Sequence, residues 1–247
     1  MVSDMKLKHI TFTGIDANTD IQDLIDIQRE YPIVEFGVLT SYHWNENGNR
    51  YLNPAFLSNL WAGNGELNLS LHICGSAAHD AVVGDWHKIN DHLFETIDLF
   101  KRIQVNVANR TDNPDRIAGL PNKSVELIIQ QTVGNTALFG SSVWLGEDEA
   151  ARVSMLLDAS GGRGIDTPLE VWESTSKIGY AGGFNPDNVA GKLEYLLKNV
   201  KKGTFWIDME SGVRTDDWFD TTKVRQVITI CREVIKDHSK NVSVIVK

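Results

Sequence analysis

Lys177-Ile178-Gly179-Tyr180-Ala181-Gly182-Gly183-Phe184-Asn185-Pro186-Asp187-Asn188-Val189 decides how the rest of the chain is read. The run predicts a short buried strand, a Gly-Gly turn, and a helix that opens close behind a proline. Glycines at a strand-to-helix junction let backbone N–H groups approach a ligand, and a helix start favours an anion. A related pattern follows at Thr204-Phe205-Trp206-Ile207-Asp208-Met209-Glu210-Ser211-Gly212-Val213. One Gly-Gly turn alone reads as a plain tight turn. Two adjacent strand ends finished by small residues are what a phosphate cradle at the top of an α/β barrel needs. The candidate phosphate contacts are therefore Gly182, Gly183, Ser211 and Gly212.

Upstream, apolar runs alternate with amphipathic ones. Leu7–Thr13 predicts a first strand, and Asp20 caps a helix carrying Ile21, Leu24, Ile25 and Ile27 at helical spacing. Val34–Leu39 is a second strand, nearly all apolar around Gly37, as a buried parallel strand should be. Pro54 opens a short helix ending near Trp61, Leu67–Ile73 is a third strand, and Asp85–Phe100 a long helix. Strands are predicted at Arg102–Val107, Val125–Gln130 and Val153–Leu157, with a short helix possible over Asn135–Leu145. Helices over Asn188–Val200 and Thr221–Asp237 separate and follow the last two strands, and the β-prone tail Asn241–Lys247 packs beneath the barrel or frays. Eight strands alternating with helices predict an α/β fold, a single (β/α)₈ TIM barrel forming one domain over residues 1–247.

Bulk properties agree. A chain of 247 residues can bury a barrel-sized core without disulfides. A net charge of −9 argues against a nucleic-acid or anionic-membrane partner, yet allows a phosphorylated small ligand held by backbone donors. Cys74 and Cys231, far apart in sequence, imply a reduced, cytoplasmic setting. Met1–Lys8 is mixed and charged, unlike a signal peptide, and no window reaches the length of a membrane span. Oligomeric state is not readable.

In this fold the C-terminal strand ends form the active face. They include Thr13, the loop holding Arg50, Cys74, Asn106, Asp158 and the two small-residue ends. Met155-Leu156-Leu157-Asp158 pushes a carboxylate from an apolar strand into the pocket, where desolvation tends to turn it into a general acid. The bland alternative is a loop cap or an Arg partner. Arg50 can fork onto a carboxylate or simply sit in solvent. His72, Cys74 and His79 are of metal-ligating types, but their spacing matches no firm motif, and no metal is expected.

Together these strand ends resemble phosphoribosylanthranilate isomerase, the (β/α)₈ enzyme of tryptophan synthesis, along nearly the whole chain. Thr13-Gly14-Ile15 is similar to the family's first turn, and Asn49-Arg50-Tyr51-Leu52-Asn53-Pro54 to its Ser-x-Arg-Tyr-x-x-Pro loop. Ile103-Gln104-Val105-Asn106, Leu156-Leu157-Asp158 with Gly161-Gly162-Arg163-Gly164, and the two stretches quoted above follow in order. The resemblance implies a cofactor-free Amadori aldose–ketose isomerisation, an intramolecular oxidoreduction of a phosphoribosyl-type substrate. It makes Asp158 the general acid, and Arg50, Asp208 and Asn106 substrate contacts, with phosphate on Gly182, Gly183, Ser211 and Gly212.

The base does not carry over. The family's first-strand Cys is Thr13, whose hydroxyl cannot serve as a thiolate does. Asn106 replaces a His, Arg163 a Thr and Glu210 a Ser, while Arg214 stands where the family often has Glu. Cys74 is the candidate replacement base, with His72 assisting if it also points inward. Another reaction on a phosphosugar, and ligand binding without turnover by a sensor or sequestering protein, remain open beside the isomerase reading.

Overall fold

The computed structural model describes residues 6–43, 49–52, 56–57, 60, 67–93, 97, 100–106, 124–132, 152–172 and 177–245. The strands are β1 (Leu7–Thr13), β2 (Val34–Thr40), β3 (Leu69–Ile73), β4 (Arg102–Val105), β5 (Glu126–Gln131), β6 (Val153–Asp158), β7 (Ile178–Ala181) and β8 (Phe205–Met209). All neighbours run parallel in sequence order, and β8 closes onto β1 through pairs such as Ile10–Ile207 and Thr11–Asp208. The barrel expected from the sequence is the fold observed.

Strand parity divides the molecule into two unlike interiors. The outward row, with Ile10, Phe12, Phe36, Val38, Leu71, Ile103, Tyr180 and Ile207, joins the apolar core shared with the helices. The inward row is largely polar: Thr11 and Thr13, Glu35, Ser70 and His72, Arg102 and Gln104, Gln130, Asp158 and Asp208 are all buried. Inside the barrel, a small apolar cluster of Ile128, Leu156 and Trp206 fills one side. Gly179 makes room for it, since a Cβ there would lie 2.2 Å from the Trp206 ring. β2 is buried along its whole length, as expected, with one charged exception to its apolar run. Its inward Glu35 is fully buried and is held by Arg102 Nη1 at 2.7 Å and by the Thr11 hydroxyl at 2.9 Å.

The helices are α1 (Ile21–Glu30), α2 (Gly75–Val83), α3 (Trp86–His92), α4 (Val189–Asn199) and α5 (Thr221–Ile245). Asp20 caps α1 through Gln22 N, as its position predicts. The helix expected over Asp85–Phe100 ends early, α3 stopping at His92, and residues 94–96 and 98–99 lie outside the described ones; α2, ahead of it, was not anticipated and stops at Gly84, which adopts a left-handed C-cap that a residue with a Cβ resists. The tail is also corrected. No glycine or proline interrupts α5, so the helix propagates through the β-branched residues to Ile245. The expected helix over Asn135–Leu145, and most of that over Pro54–Trp61, lie outside the described residues.

Beyond β8 comes a short 3₁₀ turn, Ser211–Val213, then a hairpin of β9 (Arg214–Thr215) and β10 (Trp218–Phe219). Asp216 and Asp217 form its two-residue turn, both with positive φ of 51° and 62°. That is the backbone of a type I′ turn, which Asp tolerates better than most residues. Among the described residues, no helix is long and apolar enough to cross a membrane.

Candidate active site

The mouth of the barrel holds a cavity of about 310 Å³ at the C-terminal strand ends. Every candidate site residue named from the sequence lines it. Thr13, Arg50, Cys74, Asn106, Asp158, Gly182, Gly183, Asp208, Ser211 and Gly212 all contribute to it. His72 and Gln104 line it as well, so His72 does point inward, as its shared parity with Cys74 predicts.

Asp158 ends β6 in a cage of donors. Gln130 Nε2 and Gly162 N donate to Oδ2 at 2.7 and 2.6 Å, while Ser160 N and its hydroxyl donate to Oδ1 at 2.9 and 2.7 Å. It is therefore not the isolated carboxylate in an apolar wall that its sequence context suggests. The loop after β6 supplies the donors by folding back over the strand end.

Asp208, inward on β8, has the opposite surroundings. The Thr13 hydroxyl donates to its Oδ1 at 2.7 Å. Burial pushes its carboxyl up to about 7; Thr13 and Gln104 donors pull it down, and Glu35 and Asp158 add repulsion. Sequence reasoning assigned Asp208 only to substrate binding and missed this. The available signal was its place two residues before Glu210 on an inward row, one strand from Thr13 around the closure.

The other titratable groups are less suited to proton transfer. Burial raises the Cys74 thiol to about 11, despite a hydrogen bond from Asn106 Nδ2 at 3.3 Å. That disfavours Cys74 as the replacement base, since a raised thiol with no cation hydrogen-bonded to it among the described residues favours its protonated form at neutral pH. Burial lowers His72 to about 4, and its ring lies 3.0 Å from the Ser70 hydroxyl and 3.1 Å from Gln104 Nε2. His79 belongs to outer helix α2 beside Asp80, so it does not join His72 and Cys74. Among the described residues, no group of three or more His, Cys, Asp or Glu side chains could hold a metal ion.

Arg50 is already engaged. Its Nη1 pairs with Glu210 Oε1, while Nη2 and Nε bond Asp217 Oδ1 at 2.6 and 3.0 Å. Arg214, buried beneath, donates to Gly14 O at 2.6 Å and Asp16 Oδ2 at 3.0 Å, and also to Asn49 O. Of the three charges that depart from the family pattern, Glu210 pairs with Arg50 and Arg214 with Asp16, while Arg163 donates to Ser160 O at 2.8 Å.

The small residues at the ends of β7 and β8 serve packing directly. A Cβ on Gly183 would lie 2.5 Å from the backbone of Ile165 and Asp166, and one on Gly212 would lie 1.9 Å from Phe184 O. Three loops meet there with no space for side chains. Glycine is required at both positions whether or not an anion binds.

Residues 122–229 match the family model of N-(5'-phosphoribosyl)anthranilate (PRA) isomerase, from just before β5 into α5. N-(5'-phosphoribosyl)anthranilate isomerase from Pyrococcus furiosus is similar in structure, with a TM-score of 0.52, 18% identity, and coverage of 91% of this chain and 98% of that one. Phosphoribosyl anthranilate isomerase from Thermococcus kodakaraensis gives a TM-score of 0.52 at 16% identity, covering 92% and 99%. Phospho-2-dehydro-3-deoxyheptonate aldolase from Thermotoga maritima gives 0.55 at 11%, covering 96% and 72%. No curated protein matches by sequence. The resemblance read from the strand ends holds as that of a divergent relative: sequence likeness covers the later strands, and the likeness to solved structures is one of fold.

Proposed function

We propose that this chain is an isomerase-like enzyme that rearranges a phosphorylated sugar amine from aldose to ketose, with Asp208 as the base and Asp158 as the acid. The observation that carries the reading is a pair of buried carboxylates lining one cavity, of which Asp208 is pushed by burial up to about 7. A base with that property combines availability with driving force at working pH. Asp158 takes the acid role from the family resemblance, whose matching stretch includes it. The family-model match and the order of strand ends support the choice of substrate class.

Asp158 gives a proton to the ring oxygen as the sugar ring opens to an iminium. Asp208 then removes the C2 proton, and the electron pair moves to form the enolamine. Reprotonation at C1 with loss of the C2 hydroxyl proton yields the ketose. Thr13, in the place of the family's Cys, orients Asp208 and does not itself accept the proton. The phosphate rests against the backbone of Gly182, Gly183, Ser211 and Gly212, which line the same cavity.

The test is incubation with a panel of phosphoribosyl amines, reading ketose product by NMR. Product from the native chain, lost in both Asp208→Asn and Asp158→Asn with ligand affinity retained, is the expected result. Tight binding with no product from any member makes the chain a ligand-binding barrel, a reading that the internal hydrogen bonds of Asp158 would then favour.

A further inference from the structure

The cavity walls also restrict what the sugar's nitrogen carries, given the phosphosugar reading above. Asp158, Asp208 and Glu210 all line it. Arg50 is the one Lys or Arg side chain among its described lining residues, and its Nη1, Nη2 and Nε all point at the chain's own carboxylates, Glu210 and Asp217. Asp217 is fixed in turn. Its backbone occupies the I′ turn, and its carbonyl accepts from Arg214 Nη2 at 2.6 Å. A ligand carboxylate would have to displace two internal partners from Arg50 while approaching Asp208 and Glu210.

An independent feature points the same way. Gln104 is buried and lines the cavity, and its Oε1 meets no hydrogen-bond donor among the described residues. A buried acceptor left unpaired is costly unless a ligand or water satisfies it. The Asp208 and Glu210 carboxylates and the unmet Gln104 carbonyl make this part of the lining rich in acceptors, complementary to a donor. The raised carboxyl of Glu210, pushed up by burial against the pull of Arg50, agrees that added negative charge is unfavourable here.

We propose that the substrate is a phosphorylated sugar whose nitrogen substituent carries a cationic, hydrogen-bond-donating amine, and that the Arg50–Glu210–Asp217 cluster excludes an aryl carboxylate from that position. The phosphate end and the amine end then meet chemically opposite groups of the lining. Backbone N–H groups face the anion, and carboxylates face the cation.

Four stable probes test this by titration calorimetry near neutral pH. One is ribose 5-phosphate; the others are the secondary amines made by reductive coupling of it to aniline, to 2-aminobenzoate, and to 2-(aminomethyl)aniline through the ring nitrogen. The cationic amine should bind at least about tenfold more tightly than the carboxylate, with the aniline compound between. Glu210→Gln should shrink that ratio at least about tenfold, mainly by strengthening the carboxylate probe. Asp217→Asn, at a half-exposed position, should move the ratio in the same direction if Glu210→Gln does not fold. Ribose 5-phosphate binding together with equal or tighter binding of the carboxylate overturns the proposal and leaves the phosphosugar reading intact. Failure of all four probes at millimolar concentration overturns both.

Discussion

Glu35 and Asp208 are two carboxylates inside one barrel, both buried, and their surroundings drive them in opposite directions. Burial pushes Glu35 up, but Arg102, His9 and the donors on Arg102 and Thr11 outweigh it and hold its carboxyl below the usual range. Arg102 in turn stacks 4.4 Å from the Trp206 ring and reaches Glu126, which Lys177 also pairs. Asp208 has a hydroxyl and an amide for partners and other carboxylates for neighbours, so burial prevails and the group rises to about 7. Burial alone does not identify a functional carboxylate. The presence or absence of a buried cation beside it separates the floor of this barrel from its mouth.

The sharpest break of that contrast is Asp208→Asn. Turnover should fall by roughly 10²–10⁴-fold, the usual worth of a general base. The folded state should become more stable at alkaline pH, by about 2 kcal/mol. The sign follows from linkage: with its folded value raised, Asp208 contributes most below its unfolded value and loses that contribution as pH rises through about 7. Denaturant midpoints of both proteins across pH check it, and a variant less stable than native above pH 7 would refute it.

Glu35→Ala should behave in the opposite way, costing about 3–5 kcal/mol because Arg102 is left buried without its closest partner. Glu35 has a lowered folded value, so its contribution is present above the unfolded value and is lost as pH falls through the folded one. The stability difference between native and variant should therefore shrink in acid; a difference that grows there would contradict the pairing.

The pH–rate profile gives an intermediate effect. kcat/KM should fall about tenfold per pH unit below the Asp208 value, and Thr13→Val, which removes a donor that pulls this carboxyl down, should move the acid limb upward by about one unit. An unmoved limb would detach Thr13 from the chemistry. The smallest effect is expected from Cys74→Ala: a thiol held near 11 takes no part at neutral pH, so the acid limb should stay where it is in the native protein. A large loss of kcat in that variant would restore Cys74 as the base.

Much of the frame was legible. Glycines at Gly182–Gly183 and Gly212, with apolar strands before them, located the mouth, and parity correctly placed His72 beside Cys74. The end of α3 at His92 was missed because Ile89, Leu93, Ile97 and Phe100 keep helical spacing beyond it. The β9–β10 hairpin was missed because two successive aspartates in a left-handed turn carry no Gly or Asn signal.

The chain's own pattern determined the barrel, the direction in which its strands point and the small set of side chains at their ends, because strand periodicity and glycine stereochemistry are local properties. Which of those side chains titrates near neutrality was decided only by tertiary structure. Strand closure brings Thr13 to Asp208 and keeps Arg102 at Glu35, and Arg50 is drawn to Glu210 and Asp217 from another loop. Charge is governed by neighbours in space, and those neighbours are 195 positions apart in sequence for Thr13 and Asp208 and 160 apart for Arg50 and Glu210.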